Sequence, residues 1–164
     1  MPAVVEDHGA RVAARYGVAR SSKWPAVEHA HLLKQPKCVG CVQDGARVDV
    51  HHVIPFHYCV RLGRPDLELD ERNLLTLCAN VHHLLIGHFD DYESMNLHAK
   101  REAERLFHAM TAAQIRANAE WRRLAGKRPP HLGAMSEEAQ RGFQEMMDDL
   151  MPTRPSPPEM RSGS

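Results

Sequence analysis

Apolar positions in this chain come in short segments whose period changes along the sequence. Residues 6–16 carry Val12, Ala13 and Tyr16 at loosely helical spacing after a possible cap at Asp7. In RSSKWPAVEHAHLLKQPK, Trp24, Val27, His31 and Leu32 recur at roughly helical period. Ser22 or a neighbour can cap that helix, Pro25 fits its first turn, and Pro36 ends it. Trp24 and Leu32 are expected to pack on the core. Gly45 marks a turn, and Val48 to Ile54 then read as a strand closed by Pro55. Residues 60–72, with Gly63, Pro65 and several acids, read as a loop between two strands. Asn73 to Cys78 reads as a second short strand, and His82 to His88 as the start of a helix with Leu84, Leu85 and Ile86 on its apolar faces.

Downstream the period is helical. Asn96 can cap a helix from Leu97 to about Met110, and Thr111 a second that runs to Gly126 ahead of Pro129 and Pro130. Ser136 can cap a third, stopped by Pro152, whose Phe143, Met146, Met147 and Leu150 form an apolar stripe. Such a stripe packs on its own domain or on a protein partner. Residues 151–164 are proline-rich and poor in apolar side chains, which predicts disorder. The resulting division is a helical lead-in over 1–20, a core over 21–95, C-terminal helices over 96–150 and a tail over 151–164.

Composition narrows this picture. The 164 residues suit one domain, but aromatics are only 5% and the mean hydropathy is −0.48, so the core is modest and a metal would help it. No apolar run approaches the ~20 residues of a membrane span, and the N-terminus lacks an apolar signal core. A soluble, cytoplasmic protein is expected, with no membrane partner. The net charge of zero conceals segregation. Residues 11–37 hold six Lys or Arg and one acid, residues 100–130 eight against three, and residues 131–164 three against six. Basic segments of this kind supply phosphate contacts, with Arg20, Lys23, Lys34 and Lys37 as candidates.

The chemistry concentrates between His51 and His88, a stretch with six of the twelve histidines. Imidazole binds transition metals and exchanges protons near neutral pH. Four cysteines, two of them in Cys38-Val-Gly-Cys41, suit a metal knuckle better than a disulfide framework, with Gly40 letting the backbone fold back. Phosphodiester cleavage needs a base to activate water, a cation to stabilise charge on the phosphoryl oxygens, and a group to orient the base. His51, His52, Asn73 and His83 are residue types that supply these. Duller expectations attach to two neighbours: His57 packs beside Phe56 and Tyr58, and Cys59 is a core thiol.

VDVHHVIPFH, then LELDERNLLTLC, then HHLLIGH resemble the His-Asn-His (HNH) endonuclease family, and RSSKWPAVEHAHLLKQPKCVGC resembles the lead-in of its phage-associated and bacterial members. The resemblance covers roughly residues 20–95. It implies an α+β fold, a small ββα-metal finger with a zinc knuckle, flanked by several α-helices. It makes His52 the general base and His51 a ligand of one catalytic divalent cation, Mg²⁺, Mn²⁺, Ni²⁺ or Zn²⁺. Asn73 takes the middle-letter position, fixing the loop and helping to orient the base. His83 is the second ligand of that cation. His88 is a further ligand or phosphate contact, although five residues is an awkward spacing for one helical face.

The family's knuckle uses two Cys pairs, whereas here Cys38, Cys41 and Cys78 lack a fourth thiolate. A three-Cys, one-His site with His82 is the simplest repair. The competing alignment makes His82 the catalytic ligand, because it stands nine residues after Asn73 and His83 ten. The pattern Cys-His-Leu-Leu-x-Gly-His favours His83 for that role. The implied function is metal-dependent DNA hydrolysis leaving a 5′-phosphate and a 3′-hydroxyl, in packaging, restriction, a mobile element or a toxin. The alternative is a zinc-stabilised DNA-binding or phage-packaging accessory module without catalysis.

Overall fold

The computed structural model describes residues 14–41 and 46–155. Most of the expected first helix, the Gly45 turn and the end of the proline-rich tail lie outside them; residues 14–16 are helical. The fold is mixed α and β. Its centre is a two-stranded antiparallel sheet of β1 (Val48–His52) and β2 (Leu74–Cys78), in register Asp49 to Leu77, Val50 to Thr76, His51 to Leu75 and His52 to Leu74.

Side chains alternate across a strand, so the two faces of this small sheet carry different neighbours. Val50 and Leu74 pack with Trp24 of helix α1 (Trp24–Lys34), which places His52 on that side, its ring 4.5 Å from the Trp24 indole. Leu75 and Leu77 pack on the other side with Leu85 and Ile86, which places His51 among the later histidines. Leu32 is half-buried against the first cluster and Leu33 is exposed.

Several expected elements are corrected. The strand ends at His52 rather than Ile54, because the chain turns through Pro55 into helix α2 (Phe56–Arg61). The expected loop over residues 60–72 is largely wound: α2 is followed by 3₁₀ turns at Pro65–Glu68 and Glu71–Asn73. Its acids act as local acceptors, as where Asp70 receives the Arg72 N–H at 2.9 Å. The expected helix from His82 is a single π-helical turn, His83–Gly87.

Past the sheet, α3 (Ala99–Arg105) is shorter than expected, and Asn96 turns the chain ahead of it by accepting from His98 N at 2.9 Å. The single helix expected after Thr111 is two, α4 (Ala112–Ala117) and α5 (Ala119–Ala125). The break is at Asn118, whose side chain accepts from Glu120 N and Trp121 N and so starts a helix where one was running. Thr111 and Gln114 form a reciprocal capping box, and Ser136 caps α6 (Glu137–Leu150) as expected.

The segment from α3 to α5 shares a core with the sheet, whereas α6 packs in a separate cluster with α2. Phe107, Ile115 and Trp121 pack with Leu75, Leu77, Leu85 and Cys78. Phe143 and Met147 of α6 pack with Tyr58, Ile54 and Tyr16, so the apolar stripe is used mostly within the chain, leaving Leu150 exposed. His57 stacks on Tyr16 at 4.8 Å, and Cys59 is a buried thiol pushed up to about 12 by burial. Among the described residues no helix is long and apolar enough to cross a membrane.

A hydrogen bond from Trp121 Nε1 to the Leu85 carbonyl, 2.8 Å, ties α5 to the π-turn. Trp121→Phe should keep the packing but leave that carbonyl unpaired, lowering the free energy of unfolding in urea by about 1–2 kcal/mol. Asn73→Ala, which strips partners from three buried backbone groups, should cost more, about 3 kcal/mol.

Candidate metal centres and the His52 site

Three cysteines and one histidine converge from two segments of the chain, residues 38–41 and 78–82. The ligand atoms of Cys38, Cys41, Cys78 and His82 all lie within 4.8 Å of one another. His82 Nδ1 is 3.3 Å from Cys41 Sγ and 3.2 Å from Cys78 Sγ, while its Nε2–H donates to the Phe107 carbonyl at 3.0 Å. The ring therefore presents Nδ1 to the sulfurs. Tetrahedral zinc with ordinary bond lengths separates sulfur and nitrogen ligands by roughly 3.5 Å, so the cluster needs little adjustment to close on an ion of that kind.

The backbone supports the same reading. Gly40 N–H and His82 N–H each point at a sulfur, those of Cys38 and Cys78, both at 3.3 Å. A Cβ on Gly40 would stand 2.6 Å from His82 Cδ2, so only glycine lets the knuckle lie against this ring. Electrostatically the cluster favours ionisation at Cys78 over its two sulfur neighbours. Cys78 is pulled down to about 3, chiefly by the Cys38 thiol it accepts from and then by His82. Cys38 is pushed well up by the same bond to Cys78, and Cys41 rises to about 11 through burial and Cys78, against the opposing bond to Cys38. For His82, burial disfavours the charged ring, but the bonds to Cys78 and Phe107 outweigh it and the net shift is upward.

The second group is His51, His83 and His88, again with ligand atoms within 4.8 Å. His83 Nδ1–H donates to Asp49 at 3.0 Å and His88 Nδ1–H to the Ser94 carbonyl at 2.8 Å, so both rings turn Nε2 inward. His51 is 1% exposed, and neither of its nitrogens has a hydrogen-bond partner. Burial, followed by repulsion from His88, His83 and His52, holds it well below the usual imidazole range. Three imidazoles, two with one nitrogen held by a hydrogen bond and one with unsatisfied nitrogens, fit a transition-metal cation. His31 also lacks partners for both nitrogens, yet it joins no group of ligand side chains among the described residues.

The π-turn answers the spacing problem. An i to i+5 ladder brings residues about five apart onto one side, so His83 and His88 face the same point. Gly87 completes the fit, since a Cβ there would lie 2.9 Å from His51 Cε1. The Asp49 carboxylate is lowered, first by the His83 bond and against the opposing effect of burial. Its contribution to stability is present above the ordinary carboxylate pKa and lost as the pH falls through its lower folded value.

His52 stands on the opposite face of β1. Its Nε2–H donates to the Glu68 carbonyl at 2.8 Å, which leaves Nδ1 as the proton acceptor. Burial, then the positive charge of Arg20, pulls it down to about 3, so the ring is neutral at physiological pH. Asn73 is fully buried and its side chain bonds only the main chain and a thiol: Oδ1 accepts from Ile54 N at 2.7 Å, and Nδ2 donates to the Ile54 and Leu67 carbonyls at 2.9 and 3.0 Å, with Cys59 Sγ at 3.8 Å. Through Leu67 it steadies the segment whose next carbonyl holds His52, which makes it a positioning residue.

Of the four basic candidates, Lys34 is paired with Glu71, Lys23 and Lys37 are exposed, and Arg20 lies over the Trp24 and Phe56 rings. Sequence reading missed Asp49, Glu68, Ser94 and Gly87 as supports of the histidines. Only the small residue in Ile-Gly-His was a local signal for any of them.

Loading the Cys38 cluster with a divalent ion should release protons and weaken as the pH falls, because the raised Cys38 and Cys41 thiols must ionise to bind. Cobalt titrations followed by thiolate-to-metal absorption between pH 8 and pH 5 check this. Gly87→Ala should push the His51 ring aside and weaken cation binding at the three-histidine site about tenfold, read by calorimetry, while sparing the cysteine cluster. No family model, curated protein or solved structure matches this chain, so what its sites do is argued from their geometry and donor chemistry.

Proposed function

We propose that the chain is a metal-dependent endonuclease that hydrolyses phosphodiester bonds in DNA, with β1, β2 and the π-turn serving as its ββα-metal finger. The observation that carries the reading is the pairing of two adjacent strand residues with different tasks. His51 joins His83 and His88 in a group of imidazoles whose nitrogens converge, and His52 keeps one nitrogen tied and the other available as a base. A module that only binds DNA has no use for a histidine with its tautomer fixed in this way.

A divalent cation held by His51, His83 and His88 would stabilise negative charge on the phosphoryl and leaving oxygens. The chain's own groups do the rest. His52 Nδ1 takes a proton from water as the water oxygen bonds to phosphorus. The bond from phosphorus to the 3′ oxygen breaks, and that oxygen takes a proton from solvent, leaving a 3′-hydroxyl and a 5′-phosphate. A base at about 3 is a weak acceptor. The negative charge of a bound phosphodiester opposes the effect of Arg20 and raises it. Cys38, Cys41, Cys78 and His82 would carry a structural zinc, and exposed Lys23 and Lys37 would meet the backbone outside the cut, which gives no base preference.

Purified protein should nick supercoiled plasmid with Mn²⁺, Ni²⁺ or Zn²⁺ more readily than with Mg²⁺, because imidazole donors suit the former. His52→Ala should lower the rate by about 100-fold or more while retaining both metals. His83→Ala should lose the rate together with the second cation and keep the first. Plasmid left intact under every cation, or cut equally well by His52→Ala, sinks the proposal. One tightly held zinc with DNA retained but uncut would identify a binding module instead.

A further inference from the structure

Arg20 is exposed just ahead of α1, yet its guanidinium is held in place. It lies 4.6 Å from the centroid of the Trp24 ring and 4.4 Å from that of Phe56. The same two rings flank His52, at 4.5 Å and 6.4 Å between centroids. Stacking uses the faces of a guanidinium, whereas its five N–H donors radiate in the plane, where an oxyanion binds.

One buried residue ties the two groups together. Glu68, 3% exposed, accepts His52 Nε2–H through its carbonyl at 2.8 Å. Its carboxylate accepts Ser21 N–H, at 3.0 and 3.2 Å to the two oxygens. Ser21 follows Arg20 directly. Glu68 therefore fixes both the tautomer of His52 and the backbone from which Arg20 extends.

We propose that Arg20 grips the phosphodiester that is cut, through the non-bridging oxygens of the phosphate attacked by the water that His52 deprotonates, and that Glu68 positions the pair. This rests on the nuclease reading above and sharpens it. Arg20 acts on the reacting group, whereas Lys23 and Lys37 meet flanking phosphates.

Single-turnover cleavage of duplex DNA with protein in excess, over a range of protein and salt concentrations, separates affinity from the rate at saturation. Arg20→Ala and Arg20→Gln should each lower the saturated rate by about 100-fold. Arg20→Lys should recover no more than about a tenth of the wild-type rate, because a point charge replaces a stacked fork. Glu68→Ala, which removes the acceptor of Ser21 N–H, should lower the saturated rate about tenfold through misplacement, with metal content unchanged. Arg20→Gln keeps an aliphatic stem and amide over the rings, and thermal unfolding with metal content on every variant separates a folding defect from a local one. A folded Arg20 variant that binds more weakly, with a salt slope smaller by about one but a saturated rate within about threefold of wild type, overturns the clamp. Full recovery by Arg20→Lys overturns it as well. If wild type cuts nothing with any cation, the nuclease reading falls and takes this one with it; cutting that is indifferent to Arg20 removes the clamp alone.

Discussion

In the turn His83–Gly87 the backbone is wound more widely than an α-helix, and the carbonyls along it take partners from elsewhere in the chain. Leu84 O accepts from Asp90 N at 3.0 Å, Leu85 O from the Trp121 indole at 2.8 Å, and Ile86 O from Asn96 at 2.8 Å. Phe89 and Asp90 then take left-handed conformations, φ 52° and 63°, to bring the chain back. A buried carbonyl left without a donor costs about 1–3 kcal/mol, so the wide turn depends on these three partners. It is what sets His83 and His88 side by side against His51. Asp90, Asn96 and Trp121 thus hold the histidine group in shape although none of them belongs to it.

The second constraint is the strand alternation at His51 and His52. Adjacent strand residues point to opposite faces, and here each face has its own supporting layer. His51 meets the π-turn, with Gly87 giving room for its ring. His52 meets α1 and the Glu68 carbonyl. Asn73 clips the turn after β1 to the segment that carries Glu68. A histidine group able to hold a cation and a histidine with one nitrogen tied to the main chain are in this way built from consecutive residues without competing for the same space.

The cysteine cluster performs a related service further along β2. His82 reaches Phe107 at the end of α3, and Gly40 O accepts Ala109 N at 2.8 Å, so the knuckle is bonded to the C-terminal half at two points. Phe107 and Cys78 share one core with Trp121 and Leu85. An ion closing the four ligands would hold the knuckle, β2 and the α3 end in one arrangement, a useful supplement in a chain with so few aromatic residues.

Much of this was legible in the residues themselves. The two strands, the Thr111 and Ser136 caps and the α6 stripe follow from local spacing and capping chemistry, which neighbouring side chains determine. So does the list of candidate histidines and cysteines, since residue type limits which atoms can bind a cation. What local pattern cannot carry is the winding of His83–Gly87, because the donors that make it tolerable, Asn96 and Trp121, come from 10 and 36 residues beyond their acceptors. Nor can it divide His82 from His83: the two are neighbours in sequence, and only tertiary packing turns one toward the sulfurs and the other toward His51. Glu68 was an ordinary loop acid until the fold buried it between His52 and Ser21. The chain's chemistry is written in its residue types, while the placement of each proton and each lone pair was decided by contacts that close only when distant segments meet.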